Sequence, residues 1–275
     1  MSIFEEIMGM FSYSFMVRAI IVGGLVALCA SLLGVVLVLK RYSMIGDGLS
    51  HVGFGAMAVG LAFNQAPLVV AIPIVIIAAF LLLRVSENSR IKGDAAIGLI
   101  SSSALAIGMI VNSMSSGTNI DLNSYMFGSI LAIDKQEMVL CIVLGIVIIA
   151  AFIYFYNPIF AITFDENFAR ATGLKVELYK TILAVLTAVT IVIGMRIMGT
   201  LLISSLIIFP ALSAMRVTRR FRTVMIMSVI ISMFCFFTGL VTSYLMELPT
   251  GATIVVSNLF VFIIMTVAGM IKAKR

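Results

Sequence analysis

Long apolar runs, separated by short polar connections, follow one another along almost the whole chain. A helix that crosses a bilayer needs about 20 mostly apolar residues, within a range of roughly 17–25. Nine segments predict membrane-spanning helices: residues 15–39, 46–64, 67–83, 95–111, 138–156, 178–195, 198–215, 223–246 and 252–271. The sixth and seventh are divided only by a kink around Gly194, Met195 and Arg196, so eight spans plus a broken helix is an alternative count.

The composition is that of a membrane protein with many spans. Of the 275 residues, 62% are hydrophobic and 11% are charged, whereas soluble domains carry about 25% charged residues. Mean hydropathy is +1.23 over the whole chain. We therefore expect an all-α integral membrane protein in which residues 1–275 form a single transmembrane domain. The cysteines Cys29, Cys141 and Cys235 lie in apolar runs without a CxxC pair and are expected to be packing residues.

Basic residues cluster in alternate connections between the predicted spans. They follow the first, third, fifth, seventh and ninth spans: Lys40, Arg41, Arg84, Arg90, Lys92, Lys175, Arg216, Arg219, Arg220, Arg222, Lys272, Lys274 and Arg275. Short cytoplasmic connections are enriched in Lys and Arg, so this pattern predicts an external N-terminus and a cytoplasmic C-terminus. Arg196 is an isolated basic residue on the opposite side.

Two connections are longer than simple turns. Residues 112–137 begin polar and become apolar, which predicts a short re-entrant or interfacial helix. The other, residues 157–177, contains Pro158, which is expected to end the fifth span.

The second long connection also carries signals for a short helix. Asp165 and Glu166 suit a helix start, and Gly173 suits a C-terminal cap. These residues predict an amphipathic helix over about residues 163–174 on the cytoplasmic surface. A docking element for a partner and an ordinary loop both fit this stretch.

The main candidate for chemistry is Asp47, followed four residues later by His51, the only histidine in the chain. Residues four apart share a helix face, so both side chains can point at one spot within the second span. Carboxylate and imidazole are ligands for divalent transition metals, and ionisable groups inside a membrane mark functional sites. The alternative is a structural Asp–His hydrogen bond that fixes two helices.

Two side chains cannot complete the coordination of a metal ion such as zinc, which typically takes about four ligands. Water, backbone carbonyls or the same pair from a second copy of the chain can supply the rest. An incomplete site binds weakly, and weak binding suits transport because a transported ion must leave.

Enzyme mechanisms fit the sequence poorly. A serine protease needs a serine and a histidine that meet, but Ser50 and His51 are neighbours that point about 100° apart on a helix. An aspartyl protease needs two aspartates inside spans, and only Asp47 lies well inside one. There is no phosphate loop of the GxxxxGK type. We therefore expect no ATPase activity, and the open choice is between a permease driven by a partner ATPase and a stand-alone metal transporter or channel.

A proline interrupts the seventh predicted span. Pro210 breaks the backbone ladder and kinks a helix, and Gly199 stands at the start of the same segment. The hydroxyls of Ser204, Ser205 and Ser213 can bond to carbonyls that the kink frees. Gly199 and Pro210 are therefore candidate hinge or packing positions.

Three motifs together resemble the membrane permease of zinc- and manganese-type ABC importers. The first is a long span that ends in Lys-Arg, then GDGLSH at residues 46–51 and a glycine-rich helix. The second is DENFARATG at 165–173, and the third is MGTLL at 198–202 followed by PALSA at 210–214. The resemblance covers nearly the whole chain in order and spacing. Val52 and Met198 depart from the usual small residue and valine of the family, and they leave the choice of metal open.

The resemblance implies a type II ABC importer-like permease in a bacterial-type cell membrane, working as a homodimer. Two cytoplasmic ATP-binding subunits would dock on the short helix at about residues 163–174, which would then be the coupling helix. An extracellular solute-binding protein would deliver the metal. Asp47 and His51 would contact the transported ion, with zinc expected first and manganese next. The implied ATPase-coupling residues are Asp165, Glu166, Ala169, Arg170 and Gly173. Neither a tightly bound cofactor nor nucleic acid is expected.

Overall fold

The structure is a computed structural model that describes residues 9–10, 12–88, 93–114 and 135–273. Within these ranges the regular secondary structure is entirely helical. The helices are α1 Ser14–Leu39, α2 Ile45–Ala62, α3 Pro67–Asn88, α4 Gly93–Met114, α5 Lys135–Tyr154, α6 Tyr156–Phe164, α7 Glu166–Ala171, α8 Val176–Met198, α9 Thr200–Val217, α10 Phe221–Met246 and α11 Thr250–Ala273.

The nine predicted segments correspond to the nine long helices, α1 to α5 and α8 to α11. Seven of these are long and apolar enough to cross a membrane on their own: α1, α4, α5, α8, α9, α10 and α11. Of α3, the part whose side chains the structure describes, Pro67–Leu82, is apolar throughout. Helix α2 has 18 residues, which include Asp47, Ser50 and His51. The all-α membrane fold is therefore confirmed.

Two details of the connections differ from the predictions. Helix α8 runs unbroken through Gly194 and ends at Met198, so the break falls at Gly199, whose φ is +88°. Helix α5 ends at Tyr154, before Pro158. The proline instead lies in the first turn of α6, where its missing N–H is tolerated because the first N–H groups of a helix have no acceptor within that helix. The predicted re-entrant helix falls mostly on residues 115–134, outside the described residues.

Helices α1 and α8 form the buried centre of the bundle. In each, 72% of the most apolar stretch is buried, and α1 packs against α8, α9 and α10. Two hydroxyls on α10 reach the backbone of α1: Ser228 Oγ donates to the carbonyl of Ser31 at 3.3 Å, and Ser232 Oγ donates to that of Ala27 at 3.0 Å. Such contacts between helices replace the hydrogen bonds that water would otherwise supply.

Helix α2 is enclosed by α3, α4, α8 and α9. It approaches α4 closely through glycines: a Cβ added at Gly108 of α4 would lie only 2.6 Å from the Cα of Gly55. Small residues permit this backbone contact, which is common between membrane helices. The packing fixes where the polar residues of α2 point.

Candidate functional site

Asp47 and His51 lie side by side on α2, as their spacing predicted. Asp47 Oδ2 and His51 Nε2 are 3.8 Å apart, which is too long for a hydrogen bond. The Asp47 side chain is 39% exposed and that of His51 is 22% exposed. Most of the surrounding helix is buried, so the two polar groups lie next to each other at a partly open position, and neither is hydrogen-bonded to another helix within the described part of the chain.

Local structure explains why these residues fit the start of α2. Asp47 lies in the first turn, where the positive end of the helix dipole favours a carboxylate. Ser50 is fully buried, and its Oγ donates to the backbone carbonyl of Asp47 at 2.7 Å. A buried hydroxyl engaged in this way is a helix-packing group. Ser50 is therefore not available as the nucleophile of a serine protease.

The pair brings together a carboxylate and an imidazole, two side chains of the types that bind divalent metals. Among the described residues, no group of three or more His, Cys, Asp and Glu side chains is close enough to hold a metal. The three cysteines are buried, free thiols, and Cys29 Sγ donates to the carbonyl of Gly145 at 3.6 Å. What this geometry offers is a two-ligand site with room for further donors.

The cytoplasmic element predicted around residues 163–174 is a one-turn helix. Its helical part is α7, Glu166–Ala171, and Asp165 is the N-cap: Asp165 Oδ1 accepts a hydrogen bond from the N–H of Phe168 at 2.9 Å. Gly173 follows with a φ of +85°, as expected for a C-terminal glycine. Ala169 is fully buried. The predicted start and end of this helix are correct, and Phe164 belongs to the preceding α6.

The charged residues of α7 point in two directions. Glu166 accepts hydrogen bonds from two lysines, with Lys40 Nζ 2.5 Å from Oε1 and Lys180 Nζ 2.6 Å from Oε2. Arg170 instead lies on the exposed side, 3.3 Å from Glu177. Glu166 therefore holds α7 to the membrane helices, whereas Arg170 is accessible to a partner.

The hydrogen bonds from Lys40 and Lys180 also set the ionisation of Glu166. Partial burial raises the pKa of this carboxyl, but the two ammonium groups lower it by more, so the pKa lies below its ordinary value of 4.5. The carboxylate is thus charged under physiological conditions.

Gly199 and Pro210 both lie at buried positions of α9 and its start. Gly199, with φ 88° and ψ 163°, joins α8 directly to α9 in a conformation open mainly to glycine. Ser204 Oγ donates to the carbonyl of Thr200 and Ser205 Oγ to that of Leu202. Both acceptors precede the carbonyl of Leu206, which is the one that the proline leaves without its helical N–H.

Sequence reasoning missed two ion-pair partnerships. The sequence pattern places Lys40 among the cytoplasmic basic residues and gives no partner for it. Lys180 lies in the apolar start of α8, and a lysine in such a position indicates a buried ion pair. Arg196 is not isolated, because its Nη2 lies 3.1 Å from Glu137 Oε1. That pair joins the end of α8 to the start of α5.

Comparison with known proteins gives a consistent result. The model of the ABC 3 transport family matches residues 12–269. The chain is 28% identical to the high-affinity zinc uptake system membrane protein ZnuB of Haemophilus influenzae, over 90% of this chain and 94% of that protein. It is 29% identical to the manganese import system permease protein ScaB of Streptococcus gordonii, over 94% of this chain and 93% of that protein.

A solved structure agrees with both. PsaBC from Streptococcus pneumoniae, in complex with Fab, contains a chain that is 29% identical and superposes with a TM-score of 0.85. The match covers 95% of this chain and 94% of that one.

Proposed function

The chain belongs to the ABC 3 transport family, and from this membership we propose that it carries a divalent transition-metal ion into the cytoplasm. Zinc is the first expected cargo and manganese the second. The ion passes Asp47 and His51, and the observation that carries the proposal is this partly exposed pair inside a membrane helix.

The chemistry of the pair supports a transition metal as cargo. Zinc accepts nitrogen from histidine and oxygen from carboxylates, and a site built from these two donors also accepts manganese. The relatives are named for both metals, ZnuB for zinc and ScaB for manganese. Two protein ligands hold an ion loosely enough to release it, which conduction requires.

Energy comes from partner subunits in this proposal. Two cytoplasmic ATP-binding subunits dock on the exposed side of α7, where Phe168 and Arg170 are accessible. A second copy of the chain completes a homodimer, and an external metal-binding protein delivers the ion. ATP binding and hydrolysis switch the dimer between outward-open and inward-open states. Membership in an ABC family favours this scheme over a stand-alone carrier.

Uptake of radioactive zinc and manganese by the reconstituted permease–ATPase complex tests the role of the pair. We expect Asp47→Asn and His51→Ala each to reduce uptake by about 100-fold or more, because loss of groups that only support a ligand already costs about 10–100-fold.

Val59→Ala is the matched control, since Val59 is a half-buried apolar residue about two turns beyond His51 on α2. It should leave uptake within about twofold, because the change removes two methyl groups and no metal-binding atom. Uptake at the wild-type rate in His51→Ala would remove the pair from the pathway.

A further inference from the structure

A cluster of three charged side chains joins separate elements on the cytoplasmic side of the bundle. Lys40 follows the last residue of α1, Glu166 begins α7, and Lys180 lies in the second turn of α8. One carboxylate serves both lysines, with one oxygen for each ammonium group. We call these residues the Lys40–Glu166–Lys180 cluster.

Burial distinguishes the cluster from an ordinary surface pair. The side chains of Lys40 and Lys180 are 7% and 10% exposed, and that of Glu166 is 34% exposed. Removing an ammonium group from water is costly unless a counter-charge and hydrogen bonds replace the water. If Glu166 moved away from its neighbours, Lys40 would lose its carboxylate and Lys180 would keep only the more distant one of Glu177, 3.9 Å from its Nζ. Displacement of Glu166 is therefore favoured when the lysines move with it.

Lys40 makes a second contact that strengthens this attachment. Its Nζ donates to the carbonyl of Ile162 at 3.0 Å, at the end of α6. The same ammonium group thus bonds to α6 and α7 together. The end of α1 is fixed to the cytoplasmic element through two acceptors.

A short, ordered turn leads from Lys40 to the metal pair. Only residues 41–44 separate Lys40 from the start of α2. The N–H of Tyr42 donates to the carbonyl of Leu37 at 2.8 Å, and the N–H of Ile45 donates to that of Tyr42 at 3.0 Å. Asp47 lies in the first turn of α2, so a shift at Lys40 reaches the carboxylate through a backbone with little slack.

We propose that the Lys40–Glu166–Lys180 cluster is the link through which displacement of α7 is transmitted to α2 and the Asp47–His51 pair. The three are positioning residues that act through the backbone of α2. The inference rests on the proposed function, because it takes α7 as the element that partner ATPases move. The exposed face of α7 receives the movement, and Glu166, on the inner face, passes it on.

Thiol labelling at the start of α2 tests transmission directly. Met44 is an exposed residue in the turn before α2, and the native cysteines are buried, so Met44→Cys gives a single reactive position. In the permease–ATPase complex in liposomes, we expect trapping with ATP and vanadate to change the labelling rate of this thiol severalfold. Adding Lys40→Met should abolish that change, whereas Lys40→Arg, which keeps the charge, should preserve much of it.

The choice of variants separates transmission from folding. Lys40→Met leaves Glu166 paired with Lys180. The net charge of the cluster changes from +1 to 0, but no charge in it loses its counter-charge, so the complex should assemble. Lys175→Met is the matched control, because Lys175 is an exposed lysine five residues before Lys180. It should keep the full nucleotide-dependent change. A full change in Lys40→Met would overturn the proposal, and so would an equal loss in Lys175→Met.

Metal uptake measured on the same samples distinguishes this inference from the function beneath it. We expect the number of ions imported per ATP hydrolysed to fall in Lys40→Met and to recover in Lys40→Arg. If the complex without any cluster substitution imports no metal, the proposed function fails. If that complex imports metal and Lys40→Met imports it with equal efficiency, only the link fails.

Discussion

At the residue scale, Asp47 and His51 combine partial exposure with a fixed separation. Their side-chain atoms are 3.8 Å apart, close enough for both to contact one small ion and too far apart to satisfy each other by a hydrogen bond. Their proximity follows from the spacing of four residues, because residues four apart in any α-helix lie on the same face. The sequence could therefore predict the pair without any knowledge of the fold.

The partners of Glu166 could not be predicted in the same way. Glu166 and Lys40 are 126 residues apart in the chain, so only the packing of α1 against the cytoplasmic element brings them together. The amphipathic pattern predicts a surface helix, but it does not predict that the Glu166 side chain points towards the lysines of the bundle. Arg196 and Glu137, 59 residues apart, were missed for the same reason.

The depressed pKa of Glu166 gives a pH-dependent stability. Its carboxyl has a pKa below 4.5 in the folded protein, so ionisation stabilises the fold at pH above 4.5 and this contribution is lost as the pH falls through the lowered value. We expect Glu166→Gln to cost about 1–3 kcal/mol at neutral pH. This is less than the 3–5 kcal/mol of a fully buried pair, since solvent screens the exposed third of the carboxylate.

Thermal unfolding of the wild-type protein and of the Glu166→Gln variant in detergent, followed from neutral pH into acid, measures this effect. The difference between their unfolding midpoints should be constant at neutral pH and should narrow only below 4.5. A difference that narrows well above that pH, or one that persists unchanged in acid, contradicts the assigned ionisation.

At the element scale, the close contact between α2 and α4 fixes the helix that carries Asp47 and His51. Gly55 and Gly108 meet backbone to backbone, so α4 covers α2 beyond the turn that carries His51. Glycines permit such close approach between helices, but the sequence does not identify the partner helix, which only the fold reveals by placing Gly108 opposite Gly55.

Gly108→Ala tests this contact. A methyl group there would lie 2.6 Å from the Cα of Gly55, and backbone atoms cannot rotate away, so the helices must separate. Overpacking of this kind costs about 1–3 kcal/mol. We expect a lower unfolding midpoint and reduced metal uptake. Gly98→Ala is the control on the same helix, since a Cβ at Gly98 meets nothing within 4 Å; equal effects at both positions would show that the contact is unimportant.

The helices themselves were largely predictable, because apolar length is a direct requirement of the bilayer. The nine segments correspond to nine helices with ends shifted by a few residues. The errors fall where one residue decides the backbone. Gly199 has a positive φ and separates helix α8 from helix α9, whereas Pro158 lies at the start of a helix and was expected to end one.

At the scale of the whole molecule, the proposed transport site is only half complete in one copy of the chain. Asp47 and His51 are partly exposed, and no cluster of three metal-binding side chains exists among the described residues. In the proposed homodimer, a second copy or water completes the coordination. Helix α7 has the exposed Arg170 on one side and Glu166 paired with the bundle on the other, which is the arrangement that the proposed transmission of movement requires.

Identification of a bound metal in the purified permease–ATPase complex tests the central claim most directly. Anomalous X-ray maps recorded at the zinc and manganese absorption edges locate and identify the ion in a single experiment. We predict a peak about 2.0–2.2 Å from a carboxylate oxygen of Asp47 and a ring nitrogen of His51, as in zinc sites of this chemistry, and its loss in His51→Ala. A metal bound elsewhere in the membrane region, with its peak unchanged in His51→Ala, would contradict the account.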